Sequence, residues 1–92
     1  MQGQRDAVLI VAKIAFDEKS TWTFFERGST VVAKIVDQDF WKTVHNRTVT
    51  FGEGDTLVVR LAWRIEKKAR FIQRNTILQV KNIIARPEQY RF

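Results

Sequence analysis

Hydrophobic and polar residues alternate along most of this chain, and the longest alternation runs from Thr56 to Ile65. Leu57, Val59, Leu61, Trp63 and Ile65 fall on one face, and Thr56, Val58, Arg60, Ala62 and Arg64 fall on the other. A period of two sustained this long predicts a strand with one buried face and one wet face. The segment Phe51-Gly52-Glu53-Gly54-Asp55 supplies a turn ahead of it. The wet face of the strand carries two arginines, which is the first functional clue.

Shorter alternations precede it. Ala7 to Phe16 reads as a strand whose fully apolar face is Val8, Ile10, Ala12, Ile14 and Phe16, with Lys13 marking the other face. Asp17-Glu18-Lys19-Ser20 is a polar turn. Thr21 to Glu26 alternates again, with Trp22 and Phe24 as the inward pair. Arg27-Gly28-Ser29 closes a hairpin in which Gly28 supplies the positive φ of a tight turn. Thr30 to Val36 is a third strand, with Val31, Ala33 and Ile35 inside and Lys34 outside. Asp37 or Asp39 caps one or two helical turns that carry the Phe40–Val44 pair and end near Asn46-Arg47. Thr48-Val49-Thr50-Phe51 is a short extended piece. After the long strand, Glu66 to Arg70 is an exposed connection to a last strand from Phe71 to Val80 or a little beyond. Its inward set is Ile72, Leu78 and Val80, with Thr76 between. Pro87 argues against continuation of that strand into the tail.

The order strand, strand, strand, short helix, strand, strand predicts an all-β small barrel of five to six strands. It is the element order of an OB-fold, and an SH3-like barrel is the rival. At 92 residues one domain is expected, with an ordered core over about 7–83 and a tail over 84–92. A chain this size buries only about 60–65% of its unfolded surface, so the core is thin. Three Trp and seven Phe can fill it, and the absence of Cys excludes disulfides and thiol chemistry. The apolar run Ala7–Phe16 contains Lys13, is too short for a membrane span and is followed by no signal-peptide cleavage pattern. No transmembrane segment is expected, and a cytoplasmic location is the default.

Charge sharpens the picture. Residues 57–92 hold nine Lys/Arg against Glu66 and Glu88, a balance of +7, which leaves −1 for residues 1–56 out of the total of +6. Such asymmetry fits a polyanion partner; a merely solvated basic face is the alternative.

The segments Trp22-Thr23-Phe24, Ala33-Lys34-Ile35-Val36-Asp37, Asp39-Phe40 and Phe51 to Val59 carry a resemblance. Over roughly residues 7–83 the chain resembles a β-rich domain found near the C-terminal end of longer bacterial proteins, mostly without assigned function. The resemblance implies a module of a larger protein and transfers no activity, cofactor or catalytic residue. The basic stretch Lys67–Arg70 lies outside its motifs.

The residues themselves fit three chemistries to different degrees. A single-strand nucleic-acid binder needs an aromatic platform and cations that track phosphates. Phe25 is the candidate platform, and Lys34, Arg60, Arg64, Lys67, Lys68, Arg70 and Arg74 are the candidate cations. Thr23 and Val32 share the face of Phe25, and Phe71 stands beside the final loop. Against this, Phe25 and Phe71 can equally pack under a loop or the tail. A protein-interaction or oligomerisation surface is the alternative, with Val32, Val36, Phe25, Tyr90 and Phe92 as apolar contacts and the cations steering an acidic partner. A membrane-surface role is weaker, because the cations lie on strands and a loop rather than on an amphipathic helix. His45 has no second His or Cys at metal-ligand spacing and no partner for acid–base work. Asp37, Asp39 and Asp55 suit a helix cap and a glycine turn better than a cation site, and Glu53 adds no known spacing. Gly52-Glu53-Gly54 lacks the glycine count and lysine of a phosphate loop. No enzyme, cofactor or metal is expected.

Overall fold

The computed structural model describes residues 1–15, 17–46 and 52–86. Five strands and one helix lie within them: β1 (Gln2–Lys13), β2 (Trp22–Glu26), β3 (Ser29–Ile35), α1 (Gln38–His45), β4 (Thr56–Lys67) and β5 (Phe71–Ile84). The strands close a barrel in the order β1-β2-β3-β5-β4. Every pairing is antiparallel except β3–β5, which is parallel. The expected small all-β barrel, with a short helix between β3 and β4, is the observed architecture.

Local chemistry accounts for the elements. Leu57, Val59 and Leu61 are fully buried, as their alternation predicts, while Trp63 and Ile65 are only partly covered. Trp22 and Phe24 are buried from β2, and Ala33 and Ile35 from β3. Arg27 and Gly28 both take positive φ, 51° and 83°, in the two-residue turn that joins these strands. Asp37 caps α1: its Oδ1 accepts from the backbone N–H of Asp39 (3.0 Å) and Phe40 (3.2 Å). Its Oδ2 accepts from the Val80 N–H of β5 at 2.8 Å, so one carboxylate ties the helix to the barrel wall. The helix ends at Asn46, as expected.

The core is aromatic at the helix. Phe40 and Trp41 join Trp22 and Phe24, with ring centroids 5.6–6.2 Å apart and mostly edge-to-face. Trp41 Nε1 donates to the Ile35 carbonyl at 2.8 Å, which satisfies its one polar atom. Trp41 is a core residue that the i, i+4 pattern of Phe40 and Val44 did not single out.

Two strands depart from the alternation, and bulges explain both. In β1 the register steps from Val11 opposite Phe24 to Lys13 opposite Thr23, leaving Ala12 without a partner. The extra residue inverts the face. Lys13 marks the outside only after it, so Ala7, Leu9 and Val11 are the buried set. Val8 and Ile10, expected inside, are 57% and 44% exposed. The strand also starts at Gln2 rather than Ala7, because Gln2 to Ile10 pair along β4 from Arg64 to Thr56.

In β5 the register skips Lys81 and then Leu78 against β4. Two extra residues convert the inward spacing from two to three, so Ile77, Val80 and Ile83 face the core. Leu78, expected inside, is 37% exposed, and Ile77 is the strand's fully buried residue. Ile72 is partly covered, and Val80 packs on the core as expected. Glu66 and Lys67 belong to β4, so the connection to β5 is only Lys68-Ala69-Arg70. Phe16, the extended piece Thr48–Phe51, and Tyr90 and Phe92 lie outside the described residues.

Candidate functional site

The barrel is not equally closed along its length. β1 accompanies β4 only as far as the Gln2–Arg64 pair, after which Ile65 N–H reaches the Met1 carbonyl at 2.8 Å. β3 pairs with β5 only over Ala33–Ile35. Beyond these points β4 and β5 continue as a two-stranded ribbon, pairing from Ile65–Gln73 out to Lys67–Phe71.

This ribbon gathers most of the expected cations. Between Arg64 and Arg74 stand Lys67, Lys68 and Arg70, with Glu66 as the one acid. Phe71 at the tip is 72% exposed, and Lys67 Nζ lies 5.8 Å from its ring centroid on the same face. That is within cation–π range. Phe71 is therefore not covered by a loop among the described residues.

The other face of the ribbon and the adjoining barrel wall are organised by register. Arg64 stands directly opposite Arg74. Like charges in that position repel, and one carboxylate serves both. Glu66 Oε1 lies 2.7 Å from Arg64 and 3.8 Å from Arg74, and its Oε2 lies 4.0 Å from Lys68 Nζ. The next row back is Gln4–Ala62–Thr76–Lys34, crossing β1, β4, β5 and β3. The small Ala62 leaves an open groove of about 460 Å³, with Gln2, Gln4, Thr76 and Leu78 beside the two arginines. Trp63 lies under Gly3 here. A Cβ on Gly3 would stand 2.8 Å from the indole ring, so only glycine lets β1 pass.

Two expected site residues fall elsewhere. Arg60 is opposite Asp6, which accepts from it at 3.2 Å and from Lys81 at 3.0 Å. Lys81 and then Arg60, as hydrogen-bond donors, hold the Asp6 carboxyl below its ordinary value. Arg60 thus shares Asp6 with Lys81, and its Nε–H also donates to Gln4 Oε1 at 3.3 Å. Phe25 lies opposite Ile10 and Thr30, on the β1–β2–β3 side. It is 47% exposed, and together with Val8, Ile10 and Val58 it lines an open apolar depression. Arg5 and Glu26 bound that depression as a bidentate pair, at 2.6 and 2.7 Å. The Arg5 guanidinium holds the Glu26 carboxyl below its ordinary value, chiefly through these hydrogen bonds.

Two of the acids considered for a cation site, Asp37 and Asp55, have structural work. Asp37 caps α1. Asp55 is buried and accepts from Gly52 N–H at 2.7 Å and from Arg86 N–H at 2.9 Å, joining the glycine turn to the end of β5. His45 is exposed in the last turn of α1, with its ring 5.9 Å from that of Trp41. Glu66 and Gln2, Gln4 and Thr76 were not singled out by charge or motif, because only strand register brings them to the arginines.

Comparison with family models, curated proteins and solved structures finds no match. No helix among the described residues is long and apolar enough to cross a membrane.

Proposed function

We propose that this chain is a non-enzymatic module that binds nucleic acid with low sequence specificity, and single strands in preference. The observation that carries the reading is the β4–β5 ribbon. It projects five Lys/Arg against one Glu, with an exposed Phe71 at its tip. Cations that displace condensed counterions supply affinity without sequence readout, and an aromatic face lets a base stack. Phe71 with Lys67 takes the platform role first assigned to Phe25. The strand order, with its parallel β3–β5 closure and a helix before β4, supports an OB-like over an SH3-like reading of the barrel. In OB-folds the β4–β5 loop borders the ligand.

The test is a fluorescence-anisotropy titration of labelled single- and double-stranded oligonucleotides at several salt concentrations. Binding that weakens steeply with salt and favours single strands supports the reading. No binding at low salt overturns it.

A second reading rests on the β1–β2 side. Val8, Ile10 and Phe25 present an exposed apolar surface on adjacent strands, as a protein-interaction or oligomerisation face does. Light scattering on the eluting protein tests it. A salt-resistant oligomer that Ile10→Glu dissociates supports it, and a monomer at all concentrations removes its self-association form.

A further inference from the structure

The Arg64–Arg74 pair poses an electrostatic question that the fold alone does not answer. Two guanidinium groups face each other across a ladder rung, where neutral or opposite charges are the favourable choice. Both side chains are well exposed, at 61% and 58%. Their shared acid, Glu66, is also within 4.0 Å of Lys68, so three cations divide one carboxylate. Beside them the groove over Ala62 is lined by Gln2, Gln4 and Thr76, which can donate hydrogen bonds, and Lys34 lies across the seam from Thr76.

We infer that this groove is a phosphate subsite, and that Glu66 holds the place of the ligand's phosphate until a strand binds. The inference rests on the nucleic-acid reading above and adds to it a second contact region, on the opposite face of the ribbon from Phe71. A phosphodiester oxygen occupies the position between Arg64 and Arg74 that one Glu66 oxygen now serves unequally, at 2.7 and 3.8 Å. Guanidinium groups suit that role because their N–H forks match phosphate oxygens in pairs. The amides of Gln2 and Gln4 and the Thr76 hydroxyl then serve the remaining oxygens or the sugar. Glu66 thereby sets affinity: it preorganises the arginines and competes with the ligand for them.

The decisive variant is Glu66→Gln, which keeps the shape of the side chain and removes its charge. Its affinity for a labelled single-stranded oligonucleotide is expected to rise at least threefold at about 100 mM salt, because the carboxylate it removes lies well within a Debye length of the incoming phosphate. Glu18→Gln makes the same change in net charge on the β1–β2 loop and is expected to change affinity by less than half that factor. Arg64→Gln with Arg74→Gln is expected to lower affinity at least tenfold, with the fold checked by circular dichroism. Titration of the wild-type protein with pyrophosphate, read at the arginine Nε–H resonances, is expected to shift Arg64 and Arg74 while leaving Arg5, held by Glu26 away from the groove, in place.

Equal affinity of Glu66→Gln and wild type overturns the subsite. So does loss of affinity on changing Lys67, Lys68 and Arg70 but not Arg64 and Arg74, and in that case the broader reading stands. No oligonucleotide binding by any of these proteins overturns the broader reading. The pyrophosphate titration then decides the groove alone: a shift confined to Arg64 and Arg74 keeps it as a phosphate site, and no shift removes it.

Discussion

The β4–β5 ribbon and the β1–β2 wall are both exposed, yet they expose opposite chemistry. On the ribbon, Arg64, Lys68 and Arg74 outnumber the one carboxylate within reach among the described residues. On the β1–β2 wall the ion pair is one-to-one, and on the β1–β4 strip beside it one acid serves two cations. Arg5 holds Glu26, and Asp6 holds Arg60 and Lys81, around the apolar residues Val8, Ile10 and Phe25. Formal charge does not distinguish Arg60 from Arg64; strand register does. Arg60 stands opposite an acid that it shares with one other cation, whereas Arg64 stands opposite Arg74 and shares its acid with two.

Four outcomes test this contrast, and the largest concerns the body that holds both surfaces in place. Trp22 packs fully buried against Phe24, Phe40 and Trp41. Trp22→Ala is expected to cost about 3–5 kcal/mol in urea unfolding, enough to unfold a thin-cored barrel. Phe71→Ala, on the ribbon tip, is expected to change stability by less than about 0.5 kcal/mol. Equal losses at the two sites would mean that the ribbon is part of the core, and the contrast would fail.

The next effect separates the surfaces by salt. Replacing Lys67, Lys68 and Arg70 together by Ala removes three phosphate partners. Affinity for a single strand is expected to fall on the order of a hundredfold at low salt, and the log–log salt slope to flatten by about 2. Replacing Arg60 alone is expected to do far less, since it removes one cation that stands off the ribbon and already contacts Asp6. Third, Phe71→Ala is expected to cost about 1–3 kcal/mol of binding if one base stacks there, with the salt slope unchanged. Phe25→Ala is expected to leave single-strand affinity within about twofold, since nothing in the register brings it to the ribbon.

The smallest effect is acid sensitivity of the matched wall. The Glu26 pKa is lowered in the folded protein by the Arg5 guanidinium. A carboxyl with a depressed folded-state pKa stabilises the fold above its unfolded value, and that contribution is lost as pH falls through the folded value. Glu26→Gln is therefore expected to destabilise by about 0.2–1 kcal/mol at neutral pH, as for a solvent-screened ion pair. The gap to wild type should narrow below about pH 4. Urea midpoints of both proteins across pH 3–7 check the sign.

Much of the fold was legible wherever the period of two runs unbroken. β4 shows this best, because Arg60 and Arg64 label its wet side while Leu57, Val59 and Leu61 fill the other. β1 misled because Ala7 to Ala12 is apolar on both faces, and Lys13 labels the wet side only beyond the bulge at Ala12. In β5 the bulges at Leu78 and Lys81 produced an inward spacing of three that no strand template contains. The same limit applied to the site. The cations were visible as charges, but Glu66 beneath Arg64, Arg74 and Lys68, and Asp6 beside Arg60, are facts of register. Those facts divide the basic residues into available and occupied ones.

The ribbon is the proposed binding element, and its cations are the part of the molecule to test first. The measurement that tests it is anisotropy titration of the wild-type protein and the Lys67→Ala, Lys68→Ala, Arg70→Ala triple variant. Single- and double-stranded oligonucleotides are used across a range of salt. The account predicts micromolar or tighter wild-type binding that prefers single strands and falls steeply with salt, and a variant with weaker affinity and a flatter slope. Identical affinity and slope in the two proteins, or no wild-type binding at low salt, would contradict it.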